Sequence, residues 1–189
     1  KLFGMSLDGL EKILAQELKE ELLEINQKAY EQGYEKVEPR YEKLKADFSG
    51  HMIINGNRAV ALGALAAGLR FYSAYPMSPS TEIMEFLASK SKELNVVVEQ
   101  AEDEIAAINM ALGASFAGAP AMTGTSGGGF SLMVEALGLS GIGEIPIVIA
   151  NVQRPGPATG FPTRTEQSDL RFVIHASQGE FPRKVIALR

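Results

Sequence analysis

Four acidic residues, Glu99, Glu102, Asp103 and Glu104, stand where an apolar strand pattern gives way to a helical one in VVVEQAEDEIAAINMALGA. Behind Glu104 come almost only small or apolar side chains, beginning Ile105, Ala106, Ala107, Ile108. Burial among such neighbours disfavours the charged form of a carboxylate, and this is how a glutamate becomes useful for proton transfer near neutral pH. Acidic residues in a helix's first turn also complement the macrodipole, which is reading enough for Glu99, Glu102 and Asp103. Glu104 is the candidate that chemistry could use.

The elements that must position Glu104 alternate. Asn55-Gly56-Asn57 predicts a turn that caps a helix over Arg58–Gly68. Leu69–Tyr75 reads as a strand, Pro76–Pro79 as a turn, and Ser78 or Ser80 as the cap of a helix running to about Lys92. A strand at Val96–Glu99 precedes the central helix, which ends near Gly118. Then follow a strand at Ala119–Thr125, a turn at Gly127–Gly129, a helix at Phe130–Leu139 and an apolar strand at Ile145–Asn151. A short helix is expected at Glu166–Ile174 and a last strand at Lys184–Leu188. Short apolar strands alternating with helices indicate an α/β fold with a parallel, doubly covered sheet. Ligands of such sheets bind beyond the carboxyl ends of the strands. Three loops fall there: YPMSPST (75–81), GTSGGG (124–129) and QRPGPATGFPTRT (153–165). Prolines stiffen the first and third, and glycines let backbone amides approach a ligand.

Residues 1–50 differ. They hold 19 of the 41 charged residues, so they are set apart as a helical segment ahead of a domain at 51–189. Leu10, Ile13, Leu14, Leu18, Leu22 and Leu23 recur at helical spacing and predict two amphipathic helices, about Ser6–Lys19 and Glu21–Val37, with Ser6 a candidate N-cap. Two such helices bury little core alone, as expected of the tail of another domain or a docking arm.

Composition narrows the chemistry. The chain has 189 residues, is 46% hydrophobic and 22% charged, and carries a net charge of −5 without a basic block. This reads as a soluble, cytoplasmic protein with no nucleic-acid partner and no membrane span. Cysteine is absent, which removes disulfides, thiol nucleophiles and cysteine-held zinc or iron–sulfur clusters from the chain. The two histidines, His51 and His175, form no metal-spacing motif, and no metal site is expected. A self-contained dinucleotide site is disfavoured: in G-x-G-x-x-G counted from Gly127 the third glycine falls at Leu132, and there is no G-K-[ST]. A phosphate at the N-terminus of the following helix stays open.

Five motifs then occur in order: NGNRAVALGALAAG (55–68), YPMSPST (75–81), EIAAINMALGA (104–114), TGTSGGG (123–129) and VQRPGPATGFPTRTEQSDL (152–170), with GEFPR (179–183) extending the set. Together they resemble the pyrimidine-binding domain of the 2-oxoacid:ferredoxin oxidoreductases, over about residues 52–187. Residues 1–45 resemble the end of the gamma domain fused ahead of this domain in some alpha subunits, as in 2-oxoglutarate-type enzymes.

The resemblance implies a thiamine diphosphate enzyme that oxidatively decarboxylates a 2-oxoacid, with 2-oxoglutarate favoured, using coenzyme A and passing electrons to ferredoxin. The cofactor carries the hard chemistry and the protein orients it. The family glutamate that hydrogen-bonds N1′ of the aminopyrimidine, and so promotes the imino tautomer that deprotonates C2, corresponds to Glu104. Tyr75, Pro76, Ser78 and Gly127 fall at cofactor-binding positions. Arg154 matches the arginine that pairs with the substrate carboxylate, for which a guanidinium fork is suited, and Ser78 joins it. Arg164 and Thr165 are further candidates for lining the site. The chain departs from the family's YPITPST at Met77 and Ser78, and from R-G-G-P-S-T-G at Pro155 and Ala158. It carries no G-D-G…N-type diphosphate motif. The resemblance therefore places Mg²⁺, the diphosphate anchor and the iron–sulfur cluster on a partner beta subunit. The chain is expected to be part of a longer alpha subunit. A non-catalytic interaction domain that kept the fold is the competing reading, and an independent nucleotide-binding protein is a third.

Overall fold

The computed structural model describes residues 1–3, 7–42 and 49–187, in two compact units, Lys1–Met52 and Ile53–Arg189. Ser6 lies outside the described residues, as does Leu188. In the first unit, α1 (Asp8–Glu17) and α2 (Glu20–Glu35) meet, and the Tyr30 hydroxyl of α2 donates to the Glu11 carboxylate at 3.0 Å. No residue of α2 is buried. Ile13 and Ile25 are exposed, so the apolar stripe of these helices has little of its own to cover it.

In the second unit, α3 (Gly56–Ala66) leads to β1 (Phe71–Ala74), and α4 (Thr81–Leu94) to β2 (Val97–Gln100). Then come α5 (Glu104–Phe116), β3 (Ala121–Thr125), α6 (Gly127–Ile142), β4 (Val148–Asn151) and the short α7 (Leu170–His175). The ends follow side-chain chemistry. Asn55 caps α3 by accepting from the Arg58 amide at 3.0 Å. Beyond α4, Asn95 takes a left-handed conformation, and Gly118 does the same just after α5.

The four strands are parallel and ordered β2-β1-β3-β4. Phe71 of β1 registers with Val97 on one side and Ala121 on the other, and Met122 of β3 with Val148. The chain reverses its direction of winding between β1 and β3, so the ligand crevice of such a sheet opens at the carboxyl ends of these strands, near Ala74 and Thr125. Strand alternation sends Tyr72, Ala74 and Met122 to one face, where they pack with Ala61, Ile83 and Leu87 of α3 and α4. Ser73 points to the other face and donates its hydroxyl to the Ala107 carbonyl of α5 at 2.6 Å. On that side Ala107, Ile108 and Leu112 join Met133 and Ala136 of α6 in a second core. Complete burial of Ile83, Leu87, Ile108 and Met133 contributes about 1.5–3 kcal/mol for each side chain. The sheet is thus parallel and covered on both faces.

Four local expectations change. Gly127–Gly129 is not a turn but the first turn of α6; Asp169 at Gly127 and Thr125 with Glu104 at Gly129 leave no room for a side chain, and Ala158 lies close at Gly128. Ser80 occupies the cap position of α4, yet its hydroxyl donates to the Met77 carbonyl at 2.7 Å instead of accepting from the helix. The helix expected from Glu166 starts only at Leu170, after the Asp169 amide has donated to the Gln153 side chain. Residues 184–187 form no strand, because no neighbouring strand pairs with them.

Candidate active site

Glu104 is the first residue of α5, placed there by its neighbour. Asp103 adopts an extended conformation and its carboxylate accepts from the Ala106 amide at 2.7 Å, the behaviour of an N-cap. Asp103 is exposed and Glu104 only 4% exposed. The cap thus takes the outer position and turns the next carboxylate inward. Oε1 of Glu104 is buried and has no hydrogen-bond partner among the described residues. An unpaired buried oxygen costs about 1–3 kcal/mol, so this atom is held at a cost until something donates to it.

Its surroundings are set by Gly129. A Cβ there would lie 2.6 Å from Glu104 Oε1 and 2.8 Å from its Cγ, and closer still to the Thr125 hydroxyl. Glu104 and Thr125 therefore share the space above Gly129. The Thr125 hydroxyl in turn contacts the Met77 sulfur at 3.8 Å, which brings in the loop after β1. In that loop the Ser78 carbonyl accepts from a terminal nitrogen of Arg154 at 2.8 Å. Arg154 is 8% exposed, its Nε has no partner, and it forms no ion pair among the described residues. A buried cation without an anion is costly, and this one sits at the carboxyl end of the sheet.

The loops after β1, β3 and β4 and the start of α5 thus meet around Glu104, Thr125, Met77, Ser78 and Arg154. A buried carboxylate and a buried guanidinium thus stand at the same end of the sheet, linked through Thr125, Met77 and Ser78. Ser78 contributes its carbonyl to Arg154, while its side chain is exposed. Tyr75 is exposed and Pro76 half-buried at the head of the same loop. Gly127 meets the Asp169 carboxylate, which lies 2.7 Å from where a Cβ would stand. The helix end considered for a phosphate is therefore filled by a side chain of the protein. Arg164 and Thr165 are exposed, and the Arg164 amide donates within its own loop to the Phe161 carbonyl. The Tyr72 hydroxyl is buried against Gly124 with no hydrogen-bond partner among the described residues, and burial pushes its phenol well up.

Comparison with known proteins decides the relationship. The model of the pyruvate flavodoxin/ferredoxin oxidoreductase, thiamine diphosphate-binding family matches residues 62–187. The chain belongs to this family. It is similar to the alpha subunit of 2-oxoacid:ferredoxin oxidoreductase 1 from Sulfurisphaera tokodaii, 43% identical over 99% of this chain and 32% of the relative. It is 47% identical to the 2-oxoglutarate synthase subunit KorA of Archaeoglobus fulgidus, over 71% of this chain and 39% of that subunit. Among solved structures it resembles a 2-oxoglutarate:ferredoxin oxidoreductase from Magnetococcus marinus with 2-oxoglutarate, coenzyme A and succinyl-CoA bound. The TM-score is 0.82 at 39% identity, covering 96% of this chain and 33% of that one. The chain thus spans about a third of the length of the Sulfurisphaera relative.

In this thiamine diphosphate-binding family member, Glu104, Ser78 and Arg154 of the sequence reading lie at one end of the sheet, while the parts that hold them were missed. Thr125 and Gly129 lie inside the quoted TGTSGGG motif, yet nothing local marks them as the pair that brackets Glu104. Asp169 and Asn151 were also missed. Asn151 ends β4 and donates to the Asp169 carboxylate at 3.1 Å, with its own oxygen buried and unpaired. No periodicity signals a contact between residues so far apart in sequence.

Proposed function

We propose that this chain supplies the aminopyrimidine side of a thiamine diphosphate site in the alpha subunit of a 2-oxoacid:ferredoxin oxidoreductase. The observation that carries this reading is Glu104 Oε1, buried, unpaired and pinned over Gly129. Such an acceptor fits a ring N–H and would be a liability in a merely structural domain. Thiamine diphosphate, if held there by Glu104, Tyr75, Pro76, Ser78 and Gly127, would supply the carbanion chemistry that a 2-oxoacid decarboxylation needs.

The chain's own residues orient and exchange protons. Glu104 accepts and shares the proton at N1′ of the pyrimidine. Tyr75, Pro76 and Ser78 form the rim on the β1 side, and Gly127 offers backbone alone. Arg154 holds the 2-oxoacid carboxylate, consistent with a buried guanidinium that forms no ion pair among the described residues. Ser78 positions Arg154 through its carbonyl and lends its hydroxyl to the substrate. We assign the diphosphate, Mg²⁺ and the iron–sulfur cluster to a partner beta subunit, and coenzyme A and ferredoxin to the assembled complex. The preferred substrate is 2-oxoglutarate, in keeping with the names of the Archaeoglobus and Magnetococcus relatives.

We assign 1–50 to the end of a gamma-type domain and 51–189 to the pyrimidine-binding domain. This is supported by a Sulfurisphaera relative that aligns over nearly the whole chain and an Archaeoglobus relative that aligns over 71% of it. The test is calorimetry with and without a beta-type partner. Thiamine diphosphate and Mg²⁺ should bind tightly to the complex and weakly to the chain alone. Tight Mg²⁺-dependent binding to the chain alone would refute the shared site.

A further inference from the structure

The start of α6 carries an anion that belongs to the chain itself. The first amides of a helix have no partner within it and carry the positive end of its dipole. Ser126, at the cap position, makes no side-chain capping bond, and its buried hydroxyl is unpaired. The carboxylate of Asp169 stands beside Gly127, the first residue of the helix, and accepts from Asn151 rather than from a helix amide. Both of its oxygens stand within 3.0 Å of where a Cβ of Gly127 would be, so only glycine admits it this close.

Asp169 is tied from two further directions. Its Oδ2 accepts from the Asn151 side chain at 3.1 Å, and its amide donates to the Gln153 side chain at 2.8 Å. Asn151 and Gln153 flank the start of the loop, and Asp169 stands at its end. One residue therefore closes a long loop onto its own root, one position before Arg154. The middle of the loop follows: the Ala158 carbonyl would lie 3.2 Å from a Cβ on Gly128.

We propose that Asp169 is a positioning residue, an intramolecular anion at the N-terminus of α6 that holds the 153–168 loop, with Arg154 at its root, against the site. The same carboxylate keeps a free phosphate group off this helix end. The holding of the loop stands on the geometry alone, whereas its consequence for 2-oxoacid use rests on the role proposed above for Arg154.

The experiment uses the assembled holoenzyme with Asp169→Gly, which removes the anion and leaves space, and Asp169→Asn, which fills the space without charge. Amide hydrogen exchange of peptides covering 153–168 should rise in both by about two- to fivefold, the scale of a lost charge at a helix end. The KM for the 2-oxoacid should rise by a similar factor, with kcat changed less. Added formate should restore slow exchange and low KM to Asp169→Gly and do nothing for Asp169→Asn. A purely structural role predicts no such selective rescue. Unchanged loop exchange in Asp169→Asn overturns the proposal even if Asp169→Gly fails to fold, and so does a folded Asp169→Gly that formate cannot recover. Faster exchange with formate rescue but an unchanged KM supports the clamp and instead overturns the placing of Arg154 at the substrate.

Discussion

Glu104→Gln separates a helix-end charge from a proton-sharing group, because the two roles predict effects of different size. The substitution preserves the length and planarity of the side chain, so contacts over Gly129 and Thr125 are kept. If Glu104 only complements the α5 dipole, losing its charge costs about 0.3–1 kcal/mol of stability and nothing else. If it shares a proton with a pyrimidine nitrogen, the loss appears in the chemistry. An absent acid–base group lowers rates by about 10²–10⁴, roughly 3–5 kcal/mol of barrier at 1.36 kcal/mol per decade. The kinetic effect should therefore exceed the stability effect several-fold. The assay is deuterium exchange at the thiamine C2 position in the reconstituted complex, beside thermal unfolding of the same samples. Controls come from the same neighbourhood. Asp103→Ala removes a real cap, the 2.7 Å bond to Ala106, and should cost about 1 kcal/mol of stability with exchange near normal. The amide variants of Glu99 and Glu102 should be close to neutral in both. Normal C2 exchange in Glu104→Gln, with a defect in any one control, would move the catalytic assignment off Glu104.

Gly129→Ala should act on the same carboxylate by displacement. Its Cβ would stand within 2.8 Å of two Glu104 atoms, so about 1–3 kcal/mol of stability should be lost together with slower C2 exchange; full exchange in a folded variant would show that Glu104 needs no such support. Arg154→Ala in the assembled enzyme should cost on the order of 2–4 kcal/mol in kcat/KM for the 2-oxoacid, with cofactor affinity by calorimetry almost intact; an unchanged kcat/KM removes Arg154 from the substrate site. Glu82 tests acid stability. Hydrogen bonds from Asn55, then Asn57 and Arg58, hold its carboxyl below the usual range against partial desolvation. A depressed carboxylate contributes stability that is full above its unfolded value and is lost as pH falls through the folded one. Glu82→Gln should therefore flatten the fall in Tm below about pH 4.3 and leave the neutral-pH slope unchanged; an identical acid limb would discount the cluster.

Legibility in the sequence followed the range of the forces involved. The four strands and their helices could be read because apolar runs and caps are local, and Asn55 caps where the sequence places a cap; Asp103, read only as a charge in the helix's first turn, is itself the N-cap of α5. Glu104 could be singled out because the next turn, Ile105–Ile108, is wholly apolar and only Asn109 interrupts the one after it. The glycine triplet was misread as a turn for the same reason that makes it informative. Glycine is poor in helices, so three in a row argue against one unless contacts from elsewhere forbid a side chain. Those contacts come from Glu104, Thr125, Ala158 and Asp169, and no local pattern carries them. The late start of α7 has the same origin, since the Asp169 amide is held by Gln153 across the loop. Strand formation at residues 184–187 depends on a neighbouring edge, which propensity does not supply.

The helices that build the crevice are also the ones left bare outside. On α5, Ile105, Met110 and Phe116 face outward, the last 82% exposed, and on α6 Leu132, Leu139 and Ile142 do so, the last 86% exposed. Their inner faces are packed, so these residues are not needed for the core of the domain. An apolar surface of this kind on two adjoining helices is the usual mark of a face that another surface covers. The polar interior reads the same way. Glu104 and Arg154 each keep a buried polar atom unpaired, and a domain folded only for its own stability gains nothing from that. Both features cost the isolated chain free energy, and both costs are offset at once if a cofactor enters the crevice while a second subunit covers α5 and α6. If that subunit also carries the diphosphate anchor proposed above, cofactor affinity and subunit affinity are linked, each strengthened by the other by the same factor.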